Sequence, residues 1–186
     1  MKSSAPILHT ARYQLSLLQP ENAHLLLAYR QRNSAHLNPW EPTPNTDSGT
    51  LEEACQRAAV KSAQNFADGV AVYFIATDPQ TGAMLAACNF TNIVRGIFQA
   101  CNLGYSVDHA RQGQGLMHEV VQAGITYMFD TQGLHRIMAN HLPSNTRSEK
   151  LLQGLGFARE GYARAYLKIA GQWEDHVLNA LVNPQT

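Results

Sequence analysis

A glycine-containing turn between a strand pattern and a helix pattern is the feature that most constrains this chain. The turn Gln112-Gly113-Gln114-Gly115 follows an apolar run at 103–107 and precedes a helical pattern at 116–129. A helix that begins directly after such a turn leaves several main-chain N–H groups without partners and presents the positive end of its dipole. The sequence therefore predicts an anion site, and most naturally a phosphate site, at the start of this helix.

The residues that follow the turn exclude two common kinds of phosphate loop. A P-loop carries a lysine and a hydroxyl residue directly after its last glycine, whereas Leu116 and Met117 follow Gly115 here. The dinucleotide-binding fingerprint requires a third glycine or alanine where His118 stands. The turn is therefore expected to bind phosphate almost wholly through main-chain N–H groups. Such a site favours a ligand like a pyrophosphate.

Composition predicts one compact domain over residues 1–186 in a reducing compartment. Hydrophobic residues make up 45% of the chain and charged residues 15%, and no internal period indicates a repeat. The net charge of zero gives no electrostatic basis for stable nucleic-acid binding or for an anionic membrane surface, and no apolar run is long enough to span a bilayer. Three widely spaced cysteines favour free thiols in the cytoplasm over disulfides or a metal site.

Hydrophobic periodicity predicts a mixed α/β fold with about seven strands and four helices. Strands are expected at 12–18, 70–77, 84–93, 99–107, 136–140, 162–169 and 172–181. Helices are expected from Pro20 to about Arg32, from 51 to about 67 after a Thr50–Glu53 capping box, at 116–129 and at 146–155. Residues 34–48 contain three prolines and a tryptophan. A loop of this length is usually functional or disordered, and the tryptophan argues against disorder.

The turn and the segments around it resemble the GCN5-related N-acetyltransferase (GNAT) superfamily. Gln112-x-x-Gly115 fits its Gln/Arg-x-x-Gly-x-Gly/Ala signature, and residues 145–161 look like its second acetyl-CoA segment, with an asparagine, a serine three residues on and a Leu-Gly-Phe ending. The loop at 36–42, together with 94–96, 103–106 and 135–140, is similar to the branch that acetylates the N-termini of ribosomal proteins. Met117 departs from the signature, so either its side chain points away from the pyrophosphate or the helix lies slightly further back.

The resemblance implies a GNAT fold, a mostly antiparallel sheet flanked by four helices, and acetyl-CoA as cosubstrate without a metal. The acetyl group would pass to the N-terminal α-amino group of a protein, most naturally a ribosomal protein. The residues it assigns to the coenzyme are Ser106, Val107, Gln112, Gly113, Gln114, Gly115, Leu116, Met117, Asn140, Asn145 and Ser148. A main-chain N–H near Ser106 and Val107 would polarise the acetyl carbonyl.

The identity of the amine determines how strong a base the reaction requires. An α-amino group with a pKa of about 7.7–8.0 costs ~1–1.4 kcal/mol to deprotonate at pH 7, against ~4.6 kcal/mol for a lysine of pKa about 10.4. An N-terminal substrate therefore tolerates a weak or water-relayed base. That suits a sequence with no obvious single catalytic residue.

Four side chains are candidates for the catalytic steps, and each has a plainer alternative. Ser148 could protonate the leaving sulfur, or it could be an early-helix serine that bonds the backbone. Tyr162 could serve as the acid, or simply begin a strand. Glu160 or Tyr105 could order a base-relay water, or lie at the surface or core edge. Asp175-His176 is interpreted as structural, because neighbours on a strand point to opposite faces.

Charged residues divide between the two predicted binding regions. Residues 41–53 contain four acids and no lysine or arginine, and an acidic rim would attract the ammonium and basic side chains of a protein tail. Glu52 and Glu53 are also explained by the dipole of their helix, whereas Glu41 is not. The predicted substrate contacts are His36, Trp40 and Glu41. The basic residues near the coenzyme segments, which could instead be only solvated, are Arg111, Arg136, Arg147 and Lys150.

Two other kinds of function stay open on the sequence alone. The chain could acetylate a small-molecule amine through the same coenzyme site, or it could be a non-catalytic protein that binds acyl-CoA or ribosomal particles. The zero net charge and the lack of an aromatic-rich basic stripe argue against stable RNA binding. The sequence leaves both a monomer and a homodimer open.

Overall fold

A computed structural model describes residues 5–41 and 49–186. The strands are β1 (Ile7–His9), β2 (Gln14–Leu17), β3 (Val72–Thr77), β4 (Met84–Val94), β5 (Ala100–Val107), β6 (Arg136–His141), β7 (Ala158–Ile169) and β8 (Gln172–Val182). The α-helices are α1 (Ala23–Leu37), α2 (Leu51–Ala67), α3 (Leu116–Thr126) and α4 (Thr146–Gly154). A 3₁₀ turn at Pro20–Asn22 leads into α1, and a π-helical turn at Tyr127–Thr131 extends α3.

The eight described strands form one sheet in the order β1-β2-β3-β4-β5-β6-β8-β7. Every neighbouring pair is antiparallel except β5 and β6. The predicted mixed α/β class and mostly antiparallel sheet are confirmed, with eight strands in place of about seven. The additional strand is β1, which has only three residues and is therefore too short to show an alternating pattern.

The first helix is longer than predicted. It continues to Leu37 and so includes residues 34–37, which the sequence assigned to a loop. Tertiary contacts explain the extension, because Leu37 is buried and Asn33 bonds the Tyr29 carbonyl and the Asp108 carboxylate. Residues 38–41 form a turn after the helix, and the last part of the predicted loop, residues 42–48, lies outside the described residues.

Two apolar clusters cover opposite faces of the sheet. Neighbouring residues on β3 divide between them: Phe74 belongs to the larger cluster and Ile75 to the smaller one. Helix α3 contributes Val120 to the larger cluster, whereas α1 and α2 contribute Leu26 and Cys55 to the smaller. The helices therefore lie on both faces, and β5 runs between them through the middle of the sheet.

The cysteines lie inside the folded chain. All three cysteines are buried and free, and burial raises the pKa of the Cys101 thiol to about 12. Each thiol is therefore kept away from solvent in the folded protein. Within 5–41 and 49–186, no helix is both long and apolar enough to cross a membrane.

Candidate active site

The central opening in the sheet lies between β5 and β6. The two strands pair in register only from Ala100 with Arg136 to Asn102 with Met138, after which both continue without pairing each other. The Asp108 N–H donates to the Leu85 carbonyl at 2.8 Å on the β4 side. Because main-chain groups alternate along a strand, the Val107 N–H points toward the gap. The splayed strands therefore expose a main-chain donor at the sheet interior.

The predicted phosphate turn lies beside this gap and begins α3. Gly113 and Gly115 have φ values of 71° and 76°, in the left-handed region that favours glycine, and Gly115 is the N-cap of the helix. Within the described parts of the chain, the main-chain N–H groups of Gly113, Gln114 and Gly115 have no hydrogen-bond partner. Free N–H groups at a helix N-terminus can bind an anion, so the turn stays the predicted phosphate site.

A long-range contact from the N-terminal segment holds the turn in place. Arg12 Nε donates to Glu119 Oε2 at 2.7 Å, and Arg12 Nη1 donates to the Gln114 carbonyl at 3.1 Å. The Gln114 side chain turns back and donates to the Ala110 carbonyl at 3.0 Å. The contribution of Gln114 to the cradle is therefore restricted to its main chain.

A buried carboxylate ties the turn to α1. Asp108 is 4% exposed and accepts hydrogen bonds from Arg32 Nε at 2.7 Å, Asn33 Nδ2 at 3.2 Å and the Ala110 N–H at 3.0 Å. Burial alone would raise the pKa of Asp108, but these three donors outweigh it and lower the pKa below its ordinary value. The carboxylate is therefore ionised at neutral pH and fixes the end of β5 against the helix.

The gap and the turn open into one cleft of about 420 Å³. Most of the predicted coenzyme and substrate residues line it: His36, Trp40, Glu41, Tyr105, Ser106, Val107, Gln112, Gly113, Gly115, Leu116, Met117, Asn145 and Ser148. Arg111, Arg147 and Lys150 also line the cleft and supply positive charge. Sequence reasoning did not identify three further lining residues, Leu37, His118 and Leu151. Met117 packs partly against the larger apolar cluster, which accounts for a side chain at a position where the signature has glycine or alanine.

Ser148 and Tyr105 meet inside the cleft. Their hydroxyl oxygens lie 2.5 Å apart, and the Ser148 N–H donates to Asn145 Oδ1, the N-cap of α4, at 3.1 Å. Burial raises the pKa of Tyr105 to about 12, although the hydrogen bond to Ser148 acts in the opposite direction. Tyr105 is therefore neutral at physiological pH. The Ser148 hydroxyl is therefore held by the Tyr105 side chain, and its part in catalysis stays a prediction.

A chain of side chains joins three elements across the cleft. Gln112 Nε2 donates to His36 Nε2 at 2.7 Å, and Arg147 Nη1 donates to Gln112 Oε1 at 2.6 Å. The pKa of His36 is lowered, first by burial and then by His109 and Arg147, so the neutral ring accepts the amide proton. The contact links α1, the turn and α4, and it orients the Gln112 side chain.

Four predicted site residues are not brought into the cleft. Arg136 and Glu160 form an ion pair with N–O distances of 2.9–3.1 Å, and neither lines the cleft. Tyr162 is 49% exposed and donates to Asp175 Oδ2 at 2.8 Å. Asn140 Oδ1 accepts the Asn179 N–H at 3.4 Å on β8. None of these four side chains lines the cleft, and the roles that the sequence assigns to them stay predictions.

The substrate segment is held between α1 and the β7–β8 hairpin. Trp40 is 42% exposed, Glu41 lies 3.6 Å from Arg30, and the Ala170 N–H at the hairpin turn donates to the Glu41 carbonyl at 3.1 Å. These contacts place Trp40 and Glu41 at the edge of the cleft. Of the other acids, Glu53 accepts the Thr50 N–H in the predicted capping box, and Asp47 lies outside the described residues.

A glycine turn with unpartnered N–H groups at a helix N-terminus, beside a gap between parallel strands, is the arrangement that the resemblance to acetyltransferases implies. Residues 12–158 match the family model of the acetyltransferase (GNAT) domain, so the chain belongs to the GNAT acetyltransferase family.

Similar proteins include enzymes that modify ribosomal proteins. The chain is 44% identical over 177 residues to the [ribosomal protein uS5]-alanine N-acetyltransferase of Escherichia coli, covering 95% of this chain and 91% of that protein. The crystal structure of the ribosomal-protein-S5-alanine acetyltransferase from Vibrio fischeri superposes with a TM-score of 0.89 at 36% identity, over 96% and 97% of the two chains. Mycobacterium smegmatis RimJ in complex with CoA-disulfide gives 0.77 at 26% identity, over 97% and 88%.

Proposed function

We propose that this chain transfers the acetyl group of acetyl-CoA to the N-terminal α-amino group of a protein, with ribosomal proteins as the substrate class. The observation that carries the proposal is the single cleft that joins the anion-binding turn to Trp40 and Glu41. The 44% identity to an alanine N-acetyltransferase over nearly the whole chain supports the same assignment. We assign the activity to one cytoplasmic domain spanning residues 1–186.

The residues of the cleft fit coenzyme A. The free N–H groups of Gly113, Gln114 and Gly115 would hold the pyrophosphate, and Arg111 and Arg147 would add charge along the same wall. Asn145 lies on the side where the pantetheine would run. When bound, acetyl-CoA supplies an activated acetyl thioester.

Two groups of the chain are placed to assist transfer from this thioester. The Val107 N–H points into the gap and would donate to the acetyl carbonyl oxygen, an interaction that strengthens as negative charge develops there. The Ser148 hydroxyl, oriented by neutral Tyr105, would donate a proton toward the departing sulfur. Neither group needs to ionise at neutral pH. This suits an N-terminal amine, because its low pKa means that no strong base is required to deprotonate it.

The edge of the cleft suits an extended protein N-terminus. Trp40 offers a large half-exposed apolar surface, and the Glu41 carboxylate beside it attracts an ammonium group. The hydrogen bond from the Ala170 N–H at the hairpin turn fixes the main chain of Glu41. The segment therefore loses less conformational entropy when the substrate binds.

Release of thiol from acetyl-CoA in the presence of different amines tests this function. The panel contains peptides with a free N-terminal alanine or serine, the same peptides with a blocked N-terminus and an internal lysine, and small-molecule amines. We expect turnover with the free N-termini and little with the blocked peptides, because lysine costs roughly 3 kcal/mol more to deprotonate at pH 7. Turnover confined to small amines would establish the small-molecule alternative, and acetyl-CoA binding without any turnover would establish the non-catalytic one.

We expect Trp40→Ala to raise KM for an N-terminal alanine peptide by about tenfold to thirtyfold, because a buried aromatic contact is commonly worth about 1.4–2 kcal/mol of binding. The affinity for acetyl-CoA should change far less. The matched control is Trp173→Ala, since Trp173 is 65% exposed and does not line the cleft. Steady-state kinetics measure both parameters. If KM for the peptide were the same in wild type and Trp40→Ala, Trp40 would have a structural role and would not contact the substrate.

A further inference from the structure

A second cavity lies on the other face of β5, between α1, α2 and the sheet. Its volume is about 220 Å³, several times the roughly 30 Å³ that one water occupies in the liquid. It shares Leu37, Glu41 and Ser106 with the coenzyme cleft. The two spaces therefore adjoin at the end of β5 where the acetyl group would lie.

A buried hydroxyl without a partner lies in the wall of this cavity. Ser62 on α2 is 1% exposed, and its Oγ has no hydrogen-bond partner within residues 5–41 and 49–186. A serine inside a helix ordinarily bonds the carbonyl four residues earlier, and an unsatisfied buried hydroxyl destabilises the fold. The absence of that local bond leaves the hydroxyl available to a ligand group in the cavity.

The remaining walls favour a small neutral group. Buried Leu26, Ile75 and Met84 supply apolar surface. Arg30 and Lys61 also line the cavity, so a cationic side chain would be repelled there. The size, the apolar surface and the charge together disfavour lysine or arginine as an occupant.

The junction of the two spaces suits the α-amino group itself. Tyr29 Oη donates to Ser106 Oγ at 3.0 Å, which leaves the Ser106 proton free to donate and one of its lone pairs free to accept. Burial raises the pKa of Tyr29, so the phenol keeps its proton. The Glu41 carboxylate at the same junction lies 3.6 Å from Arg30, so the neutral amine, which is the nucleophile, is the form that bonds Ser106.

We propose that this second cavity receives the first side chain of the acceptor protein and that Ser62 hydrogen-bonds a hydroxyl group on it. The proposal rests on the N-terminal acetyltransferase function proposed above. With the amine at Ser106, the first side chain of the substrate projects into the cavity. The hydroxyl group of serine or threonine can then hydrogen-bond Ser62 Oγ, whereas alanine and valine have no hydroxyl group to do so. The enzyme therefore acetylates N-terminal serine and threonine in preference to their isosteres without a hydroxyl.

Peptides that differ only in their first residue test this proposal. We compare kcat/KM for serine against alanine and for threonine against valine, in wild type and in Ser62→Ala. In wild type, the hydroxyl member of each pair should be favoured by about fivefold to tenfold, the usual effect of one buried hydrogen bond. In Ser62→Ala both ratios should fall to about one. The control Ser34→Ala, at an exposed position on α1, should keep the wild-type ratios.

A second variant tests the cavity by filling it. Ser62→Leu places a larger apolar side chain in the space and should lower kcat/KM for all four peptides while acetyl-CoA affinity persists. If Ser62→Ala kept the wild-type ratios of kcat/KM, the proposed subsite would be overturned. Acetylation of the alanine peptide would in that case still support the proposed N-terminal acetyltransferase function. Wild-type protein that acetylates none of the four peptides would overturn both.

Discussion

Gly113→Val is expected to weaken coenzyme A binding by about 30-fold, or ~2 kcal/mol, while the protein remains folded. Gly113 has a φ of 71°, and a Cβ built on it meets no atom within 4 Å. The penalty is therefore conformational, about 1–2 kcal/mol for an L-residue in this region, and valine is stiff as well. The turn relieves the strain by rotating its N–H groups away from the pyrophosphate position. Isothermal titration with coenzyme A measures the loss.

Gly133→Val is the matched control for that variant. Gly133 has a φ of 65°, its Cβ position is equally open, and it does not line the cleft. The same backbone strain should therefore lower the melting temperature by a similar amount and leave coenzyme affinity unchanged. Wild-type affinity in Gly113→Val would show that the turn does not hold the coenzyme through its main chain.

Ser148→Ala is expected to lower the single-turnover rate of acetyl transfer by about 100-fold, the lower end of the usual contribution of a positioned proton donor. Acetyl-CoA affinity should be largely retained, because the main-chain cradle is untouched. Rapid-quench measurements at saturating acetyl-CoA separate the chemical step from binding. Ser144→Ala, an exposed serine just before α4, serves as the control. A Ser148→Ala rate equal to that of the control would remove Ser148 from the chemistry.

The pH dependence of the same rate should show no contribution from Tyr105 below about pH 10. The raised pKa of about 12 keeps the phenol protonated through that range, so it orients Ser148 without titrating. A rate that rises between pH 7 and 8 would instead report deprotonation of the peptide amine, whose ordinary pKa is about 7.7–8.0.

Local chemistry in the sequence predicted several elements of the fold accurately. The Thr50–Glu53 capping box begins α2, which runs over Leu51–Ala67 as expected. The glycine turn lies between β5 and α3, with both glycines in left-handed conformations. These features depend on residues within a few positions of each other, where steric and hydrogen-bonding preferences act directly.

The long-range ion pairs that hold the site in place could not be predicted from local sequence. The Arg12–Glu119 pair spans 107 positions, and the Arg32–Asp108 pair spans 76. No periodic pattern marks either pair, because charged residues so far apart in the sequence are ordinarily interpreted as solvated. Only the adjacency of β1, α1 and the turn in the folded chain brings them together.

The sequence by itself determined the class of fold, the position of the glycine turn before α3 and the resemblance to acetyltransferases, since each is encoded by neighbouring residues. The tertiary structure alone decided which candidates reach the cleft. It placed Tyr105 beside Ser148, 43 positions away, and paired Glu160 with Arg136 outside the cleft. The physical reason is strand register: a shift of one residue moves a side chain to the opposite face, and the irregular pairing of β7 with β8 has no signature in the local sequence.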